Sequence, residues 1–318
     1  MKVIKYSSLA APEVPPLWRS YFQQPSVMGD YSLACHIERS LWDYGVDDVA
    51  VFVFTDDNDT VRGILPISHE KESDFWCYYP SYIFISAKIT IDDECWPLLP
   101  TMLPRPLMIY ELSFRVRTNV PWVAYSQANV INLSFYVDSP NPLHAYIDDL
   151  PKKSRYHFRR YLVRNSDLTV EVSGKRDIRG GNALMQEYQQ YCMDKFDNTP
   201  FMVYFKNQLE IFPKLFETAE RLGQLVALGI RSDCGELVAL NYSIFEGDCV
   251  YDYICYRAPR LERRALGIFA ILKNIEYALS RVKCGELYYD LAAEFDYKKQ
   301  FLTSNSSDYR EVKLSLGE

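Results

Sequence analysis

Residues 225–291 change their apolar period in a set order, and that order restricts the folds open to the chain. LVALGIRS and LVALNYSIFEG are β-type runs around the turn DCGE, and CVYDYICY is a third. ALGIFAILKNIEYALSRV then repeats apolar residues at three- and four-residue spacing, as a long helix does, and ELYYDLA closes as a strand. A hairpin, a strand, a helix and a further strand make an α+β layer.

The first half reads as a second α+β domain. LWRSYFQQ and SLACHIERSLWDY are short helices. VAVFVF and VRGILPISHE are strands around the polar tip TDDNDT. YIFISAKITI, PLMIYELSFRV and VAYSQANVINLSFYV are strand-like, and DDECWPLLPTML is a short helix with an acidic start. SPNPLHAYIDDLP, with two prolines in a turn signal, is the expected joint. The expected domains are therefore residues 1–137 and 151–318, with 138–150 as linker. Three more helices, KKSRYHFRRYLVRN, GGNALMQEYQQYCMDKF and NQLEIFPKLFETAERLG, and a short strand, LTVEV, precede residue 225.

Composition narrows the function. The N-terminal segment lacks the apolar core of a signal peptide, and the longest apolar run, VAVFVF, is too short to span a bilayer, so a cytoplasmic address without a membrane span is expected. Eight cysteines without a C-x-x-C pair and four histidines without ligand spacing imply reduced thiols and no metal. Residues 1–150 hold 10 Lys+Arg against 19 Asp+Glu, a balance of -9. Residues 151–318 hold 25 against 23, a balance of +2, so an anionic ligand is more welcome there. The helix KKSRYHFRRYLVR carries Lys152, Lys153, Arg155, Arg159, Arg160 and Arg164, which make either a solvated charged face or a docking surface for an anion.

Four segments in order carry a family resemblance. VFTDDNDTVRGILPIS, LPKKSRYHFRRYLVR, LVALNYSIFEGDCVYDYICY and YDLAAEFDYKKQF resemble the first hairpin, interdomain helix, second hairpin with central strand, and closing signature, an Asp and a Glu followed by Tyr-Lys-x-x-Phe, of tandem-GNAT acyltransferases. The resemblance covers residues 45–301 and is to the group of BioF2-like, CelD-type (cellulose-biosynthesis) acetyltransferases and FemAB-like aminoacyl transferases. It implies two GNAT-like domains, each a mixed, mostly antiparallel twisted sheet flanked by helices.

It also implies N-acyl transfer from acyl-CoA to an amino group of a small metabolite, sugar or peptide precursor, with neither DNA nor a metal involved. Asp252, Tyr253 and Tyr256 would lie nearest the acyl group, with Asp252 a base if burial raises its pKa; one face of that strand is alternatively plain core. Arg263, Arg264, Ala265 and Gly267 would take the donor phosphates at a helix N-terminus; the arginines alternatively offset Glu262. Here Glu262 and Ala265 stand where the GNAT loop has a polar residue and its first glycine. Arg155 and Arg159 would bind an anionic substrate. Lys298 is expected to reach a substrate cleft near Asp290 and Glu294, with Tyr297 packing its ring, or else to snorkel at the strand end. Two other readings stay open: aminoacyl-tRNA-dependent transfer, the one case with tRNA as partner, and a non-catalytic binding module whose donor loop is closed.

Overall fold

The structure, a computed structural model, describes residues 1–318 apart from 28, 72–73, 79–90, 105–106, 115–123, 128–129, 197–199, 283–284, 292–295, 309 and 317–318. Most of YIFISAKITI, together with Glu294, lies outside the described residues.

The chain divides into two compact units, one of Met1–Ala128, Asn207–Thr218 and Tyr309–Glu318, the other of Asn129–Lys206 and Ala219–Asp308. The strands in chain order are β1 (Lys2–Tyr6), β2 (Val46–Thr55), β3 (Val61–Glu70), β4 (Phe75–Tyr78), β5 (Leu107–Phe114), β6 (Ala124–Gln127), β7 (Val130–Asn132), β8 (Thr169–Ser173), β9 (Leu225–Arg231), β10 (Leu237–Glu246), β11 (Cys249–Arg257), β12 (Tyr288–Asp290) and β13 (Arg310–Leu316).

The first unit's sheet runs β1-β2-β3-β4-β5-β13-β6, antiparallel except for the β4–β5 pair. Its long hairpin β2–β3 forms because a β-branched and aromatic run meets a turn made by aspartates. Asp56 Oδ1 accepts from the amides of Asn58 and Thr60, both at 2.9 Å, and Asp59 takes a left-handed φ of 58°. The acidic tip is thus turn chemistry, with Asp56 also paired to Arg62 at 2.9 Å. Helices α1 (Val14–Tyr21), α2 (Tyr31–Leu41) and α3 (Leu99–Met102) belong to this unit.

The second unit's sheet runs β7-β12-β11-β10-β9-β8, antiparallel except for β11–β12. Around it are α4 (Pro142–Asp149), α5 (Lys152–Arg164), α6 (Gly181–Phe196) and α8 (Leu266–Arg281), while α7 (Pro200–Arg221) is shared between the two sets of residues. Ile271, Leu272, Ile275, Ala278 and Leu279 form the apolar stripe of α8, and they pack with Tyr146, Ile147 and Phe158 into one core.

The division departs from the expected one in two places. Residues 138–150 are no linker: α4 puts Leu143, Tyr146 and Ile147 into the second core, and Tyr146 Oη donates to the Phe301 carbonyl at 2.7 Å. Pro142 stands at the first turn of α4, where the missing N–H does no harm, so a proline that reads as a joint opens a helix. The last strand, β13, pairs with β5 and β6, so residues 151–318 are not one unit.

Candidate functional site

The site starts from an irregularity in β11. The register with β10 shifts between Tyr242 and Ser243: Tyr242 faces Ile254 and Ser243 faces Asp252, which leaves Tyr253 as a bulged extra residue. Because side chains alternate along a strand, the bulge brings Asp252 and Cys255 to the same face and reverses every position after it. Their partners Ser243 and Asn241 both turn to Asn274 of α8.

That reversal separates two of the expected residues. Tyr256 faces away from Asp252 and packs edge-on against Tyr242 and Tyr188, with ring centroids 6.3 and 6.0 Å apart. Tyr253 occupies the bulge, and burial pushes its phenol well up. Strict alternation contains no bulge, so Cys255 takes the place expected for Tyr256.

β11 and β12 then splay. They pair only over Cys249–Tyr251 and Tyr288–Asp290, and β11 continues for Asp252–Arg257 without β12 beside it. At the opening lies a buried polar array. Asn241 Nδ2 donates to Asp252 Oδ1 at 2.7 Å, and Asn274 Nδ2 donates to Asn241 Oδ1 at 3.1 Å and to Tyr289 Oη at 2.8 Å. Burial raises the Asp252 carboxyl above the usual range, against the opposing pull of Asn241, the Lys298 ammonium and the Tyr289 hydroxyl; Asp290 adds to the rise.

The short 3-10 helix Asp296–Phe301 supplies the other wall. Phe301 is anchored on Phe158, centroids 4.6 Å apart, and Lys298 is buried, its Nζ donating to the Leu291 carbonyl. Tyr297 is half exposed, yet its phenol is pushed up by burial and by the charge of Asp252, with Arg257 opposing. Lys298, Asp290 and Tyr297 therefore each interact electrostatically with Asp252.

The start of α8 adjoins it. The Arg257 guanidinium lies 5.1 Å from the centroid of the Tyr188 ring and 3.4 Å from where a Cβ on Gly267 would stand. It has no hydrogen bond or ion pair among the described residues. Arg263 is likewise unpaired and exposed. Arg264 is not available in this way: it donates to Asn165 Oδ1 and to the Arg164 carbonyl, both at 2.9 Å, and pairs with Asp167, tying the loop to the end of α5. Ala265 has φ 55°, the left-handed conformation that glycine adopts without strain. Glu262 is neutralised by Lys195 at 3.1 Å, which lowers its pKa.

Arg155 and Arg159 make their contacts toward α4 instead. Arg155 Nη2 donates to the Leu150 carbonyl at 3.2 Å, and Arg159 pairs with Asp148.

Sequence reasoning missed Asn241, Asn274, Cys255 and Arg257. The signal for the asparagines was present: each is one polar amide inside an apolar run, VALNYSIF and AILKNIEYAL. Among the described residues no cluster of His, Cys, Asp and Glu is arranged to hold a metal, and no helix is long and apolar enough to cross a membrane.

Comparison with solved structures places this geometry. FemX matches over 100% of this chain and 96% of its own, at 11% identity and a TM-score of 0.50. A conserved protein of unknown function from Bacteroides thetaiotaomicron VPI-5482 matches over 99% and 100%, at 10% identity and a TM-score of 0.51. The chain shares the α+β fold of these two structures, built on mixed, mostly antiparallel sheets with flanking helices. A tandem GNAT protein from the clavulanic acid biosynthesis pathway is also similar, over 100% and 99% at 11% identity and a TM-score of 0.45. No protein-family model matches the sequence, and a search of curated proteins finds no match.

Proposed function

We propose that the second unit transfers an acyl group from a thioester, an acyl-CoA, to an amino group of a small metabolite, sugar or peptide precursor. The observation that carries the reading is the Asp252–Lys298 array at the mouth of the splayed strands, next to an unpaired Arg257 at the start of a long helix.

Each group has a part that follows from its surroundings. Asp252, whose carboxylate burial makes more basic than an exposed one, takes a proton from the attacking amine. The amine nitrogen bonds to the thioester carbon, the carbon–sulfur bond breaks, and the thiolate leaves. Tyr297, whose phenol feels both Asp252 and Cys255, returns a proton to that sulfur and is reprotonated from solvent as Asp252 releases the proton it took. Beyond Tyr251 the edge of β11 has lost its β12 ladder, so its amides can polarise the thioester carbonyl. Lys298, held by the Leu291 carbonyl, sets the charge of Asp252 and attracts an anionic part of the acceptor. Arg257 and Arg263, with the bare backbone at Gly267 and the helix dipole of α8, take the donor phosphates. No covalent enzyme intermediate is needed.

The test is calorimetric titration of the whole protein with CoA and acetyl-CoA, then thiol release from acetyl-CoA with a panel of amines. Saturable binding that Arg257→Ala weakens about tenfold or more, followed by amine-dependent thiol release lost in Asp252→Asn, supports the assignment. A folded protein that binds neither molecule overturns it. The departures from the GNAT loop at Glu262 and Ala265 favour aminoacyl-tRNA-dependent transfer as the second reading, and aminoacyl-tRNA is then the donor to assay.

A further inference from the structure

The outer face of α5 carries a pattern that acyl transfer at β11 does not use. Lys152, Arg155, Tyr156, Arg159, Arg160 and Val163 recur at three- and four-residue spacing and so share one side of the helix. Together they line a groove of about 690 Å³. Sites for small molecules run from roughly 300 to 1,000 Å³. Phe158, buried on the opposite side, fixes this face outward.

The four cations in the groove are unevenly satisfied. Arg159 is offset by Asp148, and Arg155 shares one nitrogen with the Leu150 carbonyl. Arg155 Nε is buried and finds no acceptor among the described residues. Lys152 and Arg160 have neither a hydrogen bond nor an ion pair among them. Cations gathered with one counter-ion between them repel one another, and an oxyanion placed among them removes that repulsion. Tyr156, 62% exposed, and Val163, 75% exposed, add an aromatic and an aliphatic surface beside the charges.

We propose that this groove binds the phosphate or diphosphate ester of a small soluble molecule, as a site separate from the donor site at the start of α8. The volume suits such an ester. Nucleic acid calls for a broader basic surface than one helix of 13 residues in a chain of net charge -7, and a bilayer calls for a flat apolar face rather than a groove. If the acyl-transfer reading holds, the ester is the acceptor's own; the binding site itself does not depend on that reading.

The experiment is calorimetric titration of the full chain with inorganic pyrophosphate, for the native protein and for Lys152→Ala/Arg160→Ala. Both residues are exposed, so the unliganded melting temperature is expected to stay unchanged. Affinity for pyrophosphate is expected to fall about tenfold or more, the loss that follows removal of charge-assisted contacts, while affinity for acetyl-CoA stays the same. Equal pyrophosphate affinity in the variant overturns the proposal. So does a parallel loss of acetyl-CoA affinity, which would make the groove part of the donor site. Preferential binding of a short RNA duplex or of phosphatidylglycerol-containing vesicles, abolished by the same variant, would overturn it in favour of a macromolecular surface. Failure of the Arg257→Ala test leaves the pyrophosphate, RNA and vesicle results readable.

Discussion

Replacing Lys298 with methionine removes an ammonium whose charge acts on the buried Asp252 carboxyl, and keeps the volume of its stem. Breaking a buried ion pair from one side costs about 3–5 kcal/mol. Lys298 acts on Asp252 through its charge, and Asp252 retains hydrogen bonds from Asn241 and Tyr289, so a loss somewhat below that range, roughly 2–3 kcal/mol, is expected. For a unit of this size that lowers the melting temperature by about 5–10 °C. The loss depends on pH in a defined direction. An acid whose folded pKa is raised contributes stability below its unfolded value, near 3.9, and loses it as pH rises through the folded value. Without Lys298 the Asp252 pKa rises further, each added unit costing about 1.4 kcal/mol once pH exceeds it. The deficit of Lys298→Met is therefore smallest at acid pH and grows as pH rises through the raised folded value. Adding Asp252→Asn leaves no charge to strand, and the double variant recovers at least about 1 kcal/mol relative to the sum of the single changes. All five tryptophans lie in the first 128 residues, so urea unfolding of the second unit is followed by far-UV circular dichroism. A deficit independent of pH, or strict additivity in the double variant, would refute the coupling of Lys298 to Asp252.

Three further outcomes follow from local geometry. Ala265→Gly relieves a left-handed φ that costs alanine about 1–2 kcal/mol, less the greater unfolded-chain freedom of glycine, and is expected to stabilise by up to about 1 kcal/mol in chemical unfolding; a loss of stability would contradict the strain. Arg264→Ala and Arg263→Ala should separate two properties. The first breaks the tie to Asn165, Arg164 and Asp167 and lowers stability by about 1–2 kcal/mol, whereas the second leaves stability alone and weakens CoA binding, both read by melting curves with and without CoA. His69, hydrogen-bonded to Asp47 at 2.6 Å and close to Asp74 at 3.2 Å, has its pKa raised chiefly by Asp47. Its contribution to stability is present below about pH 6.5 and lost as pH rises through the raised value, and an NMR titration placing its midpoint at or below the ordinary value would contradict this.

What could be read from the chain without coordinates was the part encoded by local period. The hairpin, strand, helix and strand between 225 and 291 were legible because apolar spacing changes from two to three or four at the element boundaries. Asp252 and Lys298 stood out for a related reason, a charge set within or against an apolar strand. Tertiary structure alone decided the rest. The Tyr253 bulge reverses the faces of β11 through a register with β10 that no single strand records, which is why Tyr256 was expected beside Asp252 and Cys255 was not. Arg263 and Arg264 are adjacent and alike in sequence; only packing against α5 shows that one is spent on Asp167 and the other is not. The return of β13 to the first sheet is a pairing across some 200 residues. Local pattern reports which residues can share a face; which partner that face meets depends on contacts distant in sequence, and the site's chemistry rests on them.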